Sequence, residues 1–416
     1  MHAVLLTLLL ASPQAEPGFT SLFDGKSLAG WQLIGGAGPG YIVRDGVLVC
    51  PKDGGGNLLT VKEYGDFVLR FEYKVAPNGN NGVAIRAPKD GNPAFDGMEL
   101  QILDDPAEMY KNLQPYQYHG SIYGLVAAKR GAPKPAGEWN SEEITANGRK
   151  ITVKVNGKTI VDADLNRVTD AAAIAEHPGM FREKGFVGFM GHGPEEVQFR
   201  NIRIRELPSP EEEVNRPPSG FKALFNGRNL TGWKGLVADP PKRAAMTPDQ
   251  LKEEQKKADE QMRAHWKVVN GALVYDGKGN SLCTAKDFMN FEMLVDWKIL
   301  KDGDSGIYLR GSPQVQIWER PEGSGGLYNN EKNPSKPLAS MDNPIGEWNR
   351  FRIVMVGEKV HVFLNGTCVV KGTTMENYWE RSKPIYPIGQ IELQHHGNEL
   401  QFRNVFIREI PIVKVN

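Results

Sequence analysis

The sequence predicts an all-β protein of two tandem β-sandwich domains, and three observations carry that prediction. First, one motif is written twice, as FTSLFDGKSLAGW at Phe19 to Trp31 and as FKALFNGRNLTGW at Phe221 to Trp233. A repeat spaced this widely marks whole domains, because solenoid units recur every 20 to 50 residues or so. Second, apolar residues recur at every second position, as in Phe67, Leu69, Phe71, Tyr73 and Val75, which is the period of a half-buried strand. Third, Asp45-Gly46, Asn156-Gly157, Asn270-Gly271 and Asn365-Gly366 lie between apolar runs, where residues tolerant of positive φ make tight hairpins.

The duplication runs through the chain in constant order. YIVRDGVLV (Tyr41 to Val49) returns as WKVVNGALV (Trp266 to Val274), NGVAIR (Asn81 to Arg86) as SGIYLR (Ser305 to Arg310), and ELQI (Glu99 to Ile102) as QVQI (Gln314 to Ile317). GEWN stands at Gly137 to Asn140 and again at Gly346 to Asn349, each expected to lead to a buried Trp139 or Trp348. VNG (Val155 to Gly157) matches LNG (Leu364 to Gly366), and the HG at His192 and at His396 is followed in each copy by FRN. Domains are therefore expected at 18–207 and 220–411. The Pro-rich, acidic segment 208–219 between them reads as a linker, since proline removes donors and the charges keep the chain solvated.

Residues 1–15 read as an export signal, with an apolar run from Val4 to Ala11 and a small-residue site ending at Ala15. A secreted or periplasmic protein is expected, and no later stretch is long and apolar enough to predict a membrane span. Lys plus Arg balance Asp plus Glu at 50 each, which argues against nucleic acid as a partner. Cys50, Cys283 and Cys368 occupy non-equivalent places in the two copies, so they describe no repeated disulfide and read as small buried apolar residues. One helical insertion is predicted at about 247–264. Thr247 supplies its N-cap, Pro248 its first residue and Gln250 the far side of a capping box, and Leu251, Ala258 and Met262 form a narrow apolar stripe.

Strand alternation also picks out a polar floor. With Leu100 and Ile102 inward, Glu99 and Gln101 face the other side, and with Val83 and Ile85 inward, Arg86 joins them. FVGFMGHG adds His192. In the second copy the same reading gives Arg310, Gln314 and Gln316, while IELQHHG adds Glu392, Gln394 and His396. The carboxylate has thus moved from the Glu99 strand to the Glu392 strand. Aromatic rings suited to stacking on sugar faces follow in the loops, including Tyr110, Tyr116, Tyr118 and Tyr123 with His119, and Trp318 and Tyr328 in the second copy. Asp104, Asp105 and Glu108 leave open a divalent metal such as calcium, although no metal-binding motif is present.

The ordered set LFDGKSLAGW, NGVAIR, ELQILD, GEWN, VNG and HG with FRNI, repeated with small changes, resembles the 3-keto-disaccharide hydrolase family over nearly the whole span from Phe19 to Ile410. The resemblance implies a concanavalin-A-like jelly-roll sandwich in each copy, with a sugar site on a concave sheet, and cleavage of glycosides already oxidised at C3. An ordinary retaining glycosidase needs two carboxylates about 5 to 5.5 Å apart. Here the alternation runs Glu99, Gln101, Leu103, and Asp104 has the wrong parity. A 3-keto sugar needs only one base to take the acidified C2 proton, donors for the developing enolate and an acid for the leaving group. The expected catalytic set is Glu99, His192 and Arg86, with Glu392, His396 and Arg310 in the second copy. Gln101, Tyr123, Gln316, Trp318, Tyr328 and Gln394 are expected to bind substrate. The alternative reading is a non-catalytic, lectin-like carbohydrate-binding protein.

Overall fold

A computed structural model describes residues 16–208, 213–312 and 314–411. The export-signal expectation, 1–15, and part of the expected linker lie outside the described residues. The chain divides into two compact units. One runs through Ile85 and takes in Glu99–Ala163 and the segment from Gly185, and the other holds Arg86–Met98, Asp164–Lys184 and the remainder.

The first copy stacks two antiparallel sheets. The larger orders its strands Lys158–Asp164, Lys150–Val155, Asn140–Asn147, Phe67–Val75, Val197–Glu206, Val47–Cys50 and Ile42–Arg44, with Thr20–Ser21 added to Val197–Glu206. The smaller orders Trp31–Ile34, Gly56–Tyr64, Gly185–Gly191, Asn80–Ala87 and Met98–Leu103. Every residue of the alternating set Phe67 to Val75 is buried. Phe71 meets Phe189 edge-on at 5.7 Å, and Phe189 stacks on Phe199 at 3.9 Å, joining the two sheets. Burying each such ring is worth about 1.5–3 kcal/mol.

The second copy repeats the plan. Its large sheet runs Trp266–Val269, Ala272–Asp276, Glu399–Glu409, Phe291–Ile299, Asn349–Val356, Lys359–Leu364 and Thr367–Thr374. Its smaller sheet runs Trp233–Gly235, Leu282–Thr284, Ile391–Leu393, Asp304–Leu309, Gln314–Trp318 and Leu327–Tyr328. The expected all-β fold of antiparallel sandwiches is the one observed. Among the described residues no helix is long and apolar enough to cross a membrane.

The repeated motifs have local physical causes. Indole N–H of Trp31 donates to Leu22 O, and that of Trp233 to Leu224 O, both at 2.7 Å, so the first motif closes on itself in each copy. The hairpin residues Asp45, Asn156, Asn270 and Asn365 all take φ near +50°, followed by glycines of positive φ, as their turn signals require. The GEWN expectation is corrected. Trp139 and Trp348 are half-buried rather than buried. Each indole is flanked by cations, Lys74 and Arg200 over Trp139 and Lys298 and Arg403 over Trp348, and the buried member of the motif is its Asn.

The helical insertion spans Pro248–His265, and Thr247 and Gln250 form the expected capping box. Ala258 and Met262 are buried while Leu251 stays exposed. A side chain at Gly235 would stand 2.0 Å from Ala258 O, so only glycine lets the helix lie this close to the Trp233–Gly235 strand. A shorter helix, Pro240–Ala244, precedes it. The three cysteines are free, with Cys50 and Cys283 buried as expected and Cys368 partly exposed.

Candidate functional site

In the first copy the smaller sheet brings Glu99 and His192 together. His192 Nε2 stands 2.7 Å from Glu99 Oε1. Glu99 is 3% exposed, whereas the imidazole keeps an edge in solvent, its side chain 34% exposed. Gly82 makes the pairing sterically feasible, since a Cβ there would lie 2.1 Å from Glu99 Oε1. Burial acts to lower the pKa of His192, but the hydrogen bond and charge of Glu99 outweigh it and hold the imidazole above its ordinary 6.5. The pair thus joins a buried carboxylate to a ring that keeps an edge in solvent.

Other expected residues flank the pair. Gln101 Nε2 donates to Asn80 Oδ1 at 2.8 Å, which fixes its amide on the strand. The backbone N–H of Tyr123 donates to Glu99 O at 2.9 Å, and Gln117 Nε2 donates to the Tyr123 hydroxyl at 3.1 Å. Tyr110, Tyr118 and His119 are buried anchors of the loop, whereas Tyr116 is exposed and Tyr123 half-exposed. His119 serves the core. Its Nδ1 accepts from Leu103 N at 3.1 Å, and its Nε2 lies 2.9 Å from the Tyr73 hydroxyl.

Arg86 requires a correction. Its φ of +48° breaks the alternation that would put it on the open floor. The residue is 2% exposed, and its Nη1 donates to Arg182 O at 3.3 Å. Arg310 does the same with φ +56°, donating from Nη1 to Gly357 O at 2.9 Å and Tyr386 O at 3.4 Å, and from Nη2 to Asn290 Oδ1 at 3.3 Å. Burial brings its pKa down to about 10. Both arginines clamp chain segments instead of presenting a charge to a ligand.

The acidic loop residues are occupied in turn geometry. Asp104 Oδ2 accepts from Asn78 N, Asp105 Oδ1 from His119 N, and Glu108 pairs with Lys111. Among the described residues no group of three His, Cys, Asp or Glu side chains is arranged to hold a metal ion.

The second copy carries a different floor. Cross-strand pairing sets Lys234, Cys283, Glu392, Tyr308, Gln314 and Tyr328 in one row across five neighbouring pairs of strands. Burial pushes Glu392 up to about 7, against the opposing charge of Arg243, whose Nη2 lies 3.8 Å from Glu392 Oε1. Arg243 comes from the Pro240–Ala244 helix and is steadied by bonds from Nη1 to the carbonyls of Val237 and Ala238. Gln314 Nε2 donates to Gln316 Oε1 at 2.5 Å, and Gln316 Nε2 to Asp304 Oδ1 at 2.7 Å.

His396 is not joined to Glu392. Its side chain is 55% exposed and faces Asp304 at 3.6 Å. Trp318 donates from Nε1 to Gly323 O and lines a separate cavity of about 570 Å³ with Trp297, Pro321, Asp342 and Ile345. Sequence reasoning did not select Tyr308 or Arg243. Tyr308 carried a signal, since it lies between Ile307 and Leu309 and so has floor parity, but Arg243 reaches the floor only through the inserted segment.

Comparison with known proteins adds four findings. The family described as the 3-keto-alpha-glucoside-1,2-lyase-like domain matches residues 18–205 and again 220–408. A Bacteroides thetaiotaomicron protein named 3-keto-disaccharide hydrolase is 26% identical over 239 residues, which are 48% of this chain and 81% of that protein. A candidate glycosyl hydrolase from Parabacteroides distasonis is 31% identical over 45% of this chain and 99% of its own, with a TM-score of 0.41. A second from the same organism is 26% identical over 46% and 94%, with a TM-score of 0.39.

Proposed function

The chain belongs to the 3-keto-alpha-glucoside-1,2-lyase-like family, and from that membership we propose that it cleaves glycosides whose C3 carries a ketone, with the first copy as the reacting centre. The observation that supports this most is the 2.7 Å contact between buried Glu99 and His192. A ketone at C3 acidifies the C2 proton, so a single positioned base suffices where an ordinary glycosidase needs two carboxylates.

In this reading the Glu99 carboxylate removes the C2 proton, and the C–H electrons form the enolate of the C3 ketone. Collapse of the enolate makes the C1–C2 double bond and breaks the bond from C1 to the aglycone oxygen. The imidazolium of His192, held in its charged form by Glu99, gives that oxygen a proton. Water then adds across the enone, hydroxyl at C1 and proton at C2, so that the sum of the two stages is hydrolysis. Gln101 and Tyr123 orient the ring, and the half-exposed tyrosine offers a stacking face. Arg86 has no part in this scheme, being committed to Arg182 O.

The test is aglycone release from 3-ketotrehalose and a 3-keto-glucoside beside the same sugars unoxidised. Release from the ketones alone, with a C2-deuterium isotope effect, is the expected result. Equal release from the unoxidised sugars, or none from either, would overturn the proposal.

A further inference from the structure

We propose that the smaller sheet of the second copy is a sugar-binding site that does not cleave, built from Glu392, Tyr308, Gln314 and Tyr328 with Trp379 and Arg243 beside them, and that its ligand is a neutral, unoxidised pyranoside. This goes beyond the cleavage reading and does not depend on it.

The catalytic pair of the first copy is dismantled here. Gln314 stands where the repeat has Glu99, and the His396 that matches His192 is turned to solvent and Asp304. What replaces it is a built surface. By the same alignment Gly188 and Ala84 of the first copy correspond to Glu392 and Tyr308, so a bare strip of sheet has gained a carboxyl and a phenol. Tyr328 extends the row and is 48% exposed. Trp379, 38% exposed, is held by its indole N–H to Gly311 O at 2.6 Å and by an edge contact with Tyr378 at 4.8 Å. Half-open rings fixed in this way are what the apolar face of a pyranose stacks against.

The polar groups specify the ligand further. Gln314 Oε1, Glu392 Oε1 and Gln394 Oε1 are buried and have no hydrogen-bond partner among the described residues. Gln314 and Glu392 are 2% and 5% exposed, so their acceptors are costly to leave unmade. All three of the orphaned atoms are oxygens, and they call for donors, which sugar hydroxyls supply in number. Arg243 faces Glu392 and is already bonded to two carbonyls, so it is not free to pair with an anionic sugar, and the other cation of the row, Lys234, stands on the edge strand beyond Cys283.

The experiment uses the full chain carrying Glu99→Gln, so that cleavage does not intrude, with trehalose, maltose and cellobiose as probes and calorimetric titration as the readout. Saturable binding of at least one disaccharide is expected, weakened about fivefold to tenfold by Tyr328→Ala and by Tyr308→Ala. Tyr308→Ala restores the residue that the first copy folds with at that position, and Tyr328 lies at the surface, so circular dichroism should report both variants as folded. No saturable binding, or binding that both variants leave unchanged, would overturn the proposal. Because the probes are unoxidised and Glu99 is absent, the result is independent of whether 3-keto glycosides are cleaved.

Discussion

The side-chain amide of Asn156 donates to Asn140 Oδ1 at 2.8 Å, and that of Asn365 donates to Asn349 Oδ1 at 2.9 Å. Each pair joins the last residue of GEWN to the hairpin of VNG or LNG, and each GEWN Asn also accepts from a loop backbone N–H, Lys134 N or Asn343 N at 2.7 Å. Asn349→Ala would strand two donors in a site that is 4% exposed. Its unfolding free energy should fall by about 2–3 kcal/mol in urea titration. Asn365→Gly keeps a residue tolerant of positive φ but also deletes the acceptor of Arg350 N and the donor to Met341 O, so it should lose at least as much. Equal stability of Asn349→Ala and the parent would show that the motif is not a clamp.

Arg310→Met should behave as a stability variant and not as a catalytic one. It leaves the carbonyls of Gly357 and Tyr386 and the Asn290 oxygen without the donor they now share, at a cost of about 2–4 kcal/mol. Thermal unfolding should shift down, while turnover of the 3-keto substrate per folded molecule holds. A kcat that collapses with unchanged stability would return Arg310 to the catalytic set.

The contrast between the arginines and the Glu99 pair shows what the sequence made legible. Duplication, strand period and hairpin turns were readable because each depends on local rules, and Glu99, Gln101 and His192 obey the period-two alternation. Arg86 and Arg310 do not, because one left-handed residue at the strand end reverses the parity on which the reading rests. Arg243 was illegible for another reason. Its position on the floor follows from the short Pro240–Ala244 helix and the bonds of its guanidinium to the carbonyls of Val237 and Ala238, a tertiary fact with no trace in spacing. Trp139 and Trp348 misled because a ring with a guanidinium over its face gains attraction without being fully buried.

Glu392 should make the stability of the protein depend on pH. Burial raises its carboxyl from 4.5 in the unfolded chain to about 7 in the fold. A proton held more tightly by the native state stabilises it fully below the unfolded value, and that contribution is lost as pH rises through about 7. Glu392→Gln lacks the titration, so relative to it the parent should lose on the order of 3 kcal/mol between about pH 4.5 and 8. Urea titrations of both proteins across that interval check this, and parallel curves would refute it.

The pH dependence of cleavage tests the roles within the first pair. Glu99 holds His192 above 6.5, so the imidazolium persists at neutral pH and is lost only as pH rises through that raised value. The stability that the pair contributes follows the same course, present in full below about 6.5 and lost on the alkaline side. If His192 is the acid for the departing oxygen, kcat/KM should decline along that alkaline limb, and His192→Asn should abolish the limb along with roughly 100-fold or more of the rate. Glu99→Gln should cost at least as much and also lower the pKa of the imidazole, since burial then acts without the opposing carboxylate, observable as a shift of the His192 ring resonances in an NMR titration. A rate that climbs with pH through the same interval would make neutral His192 the base instead, reversing the two assignments while leaving the pair in place.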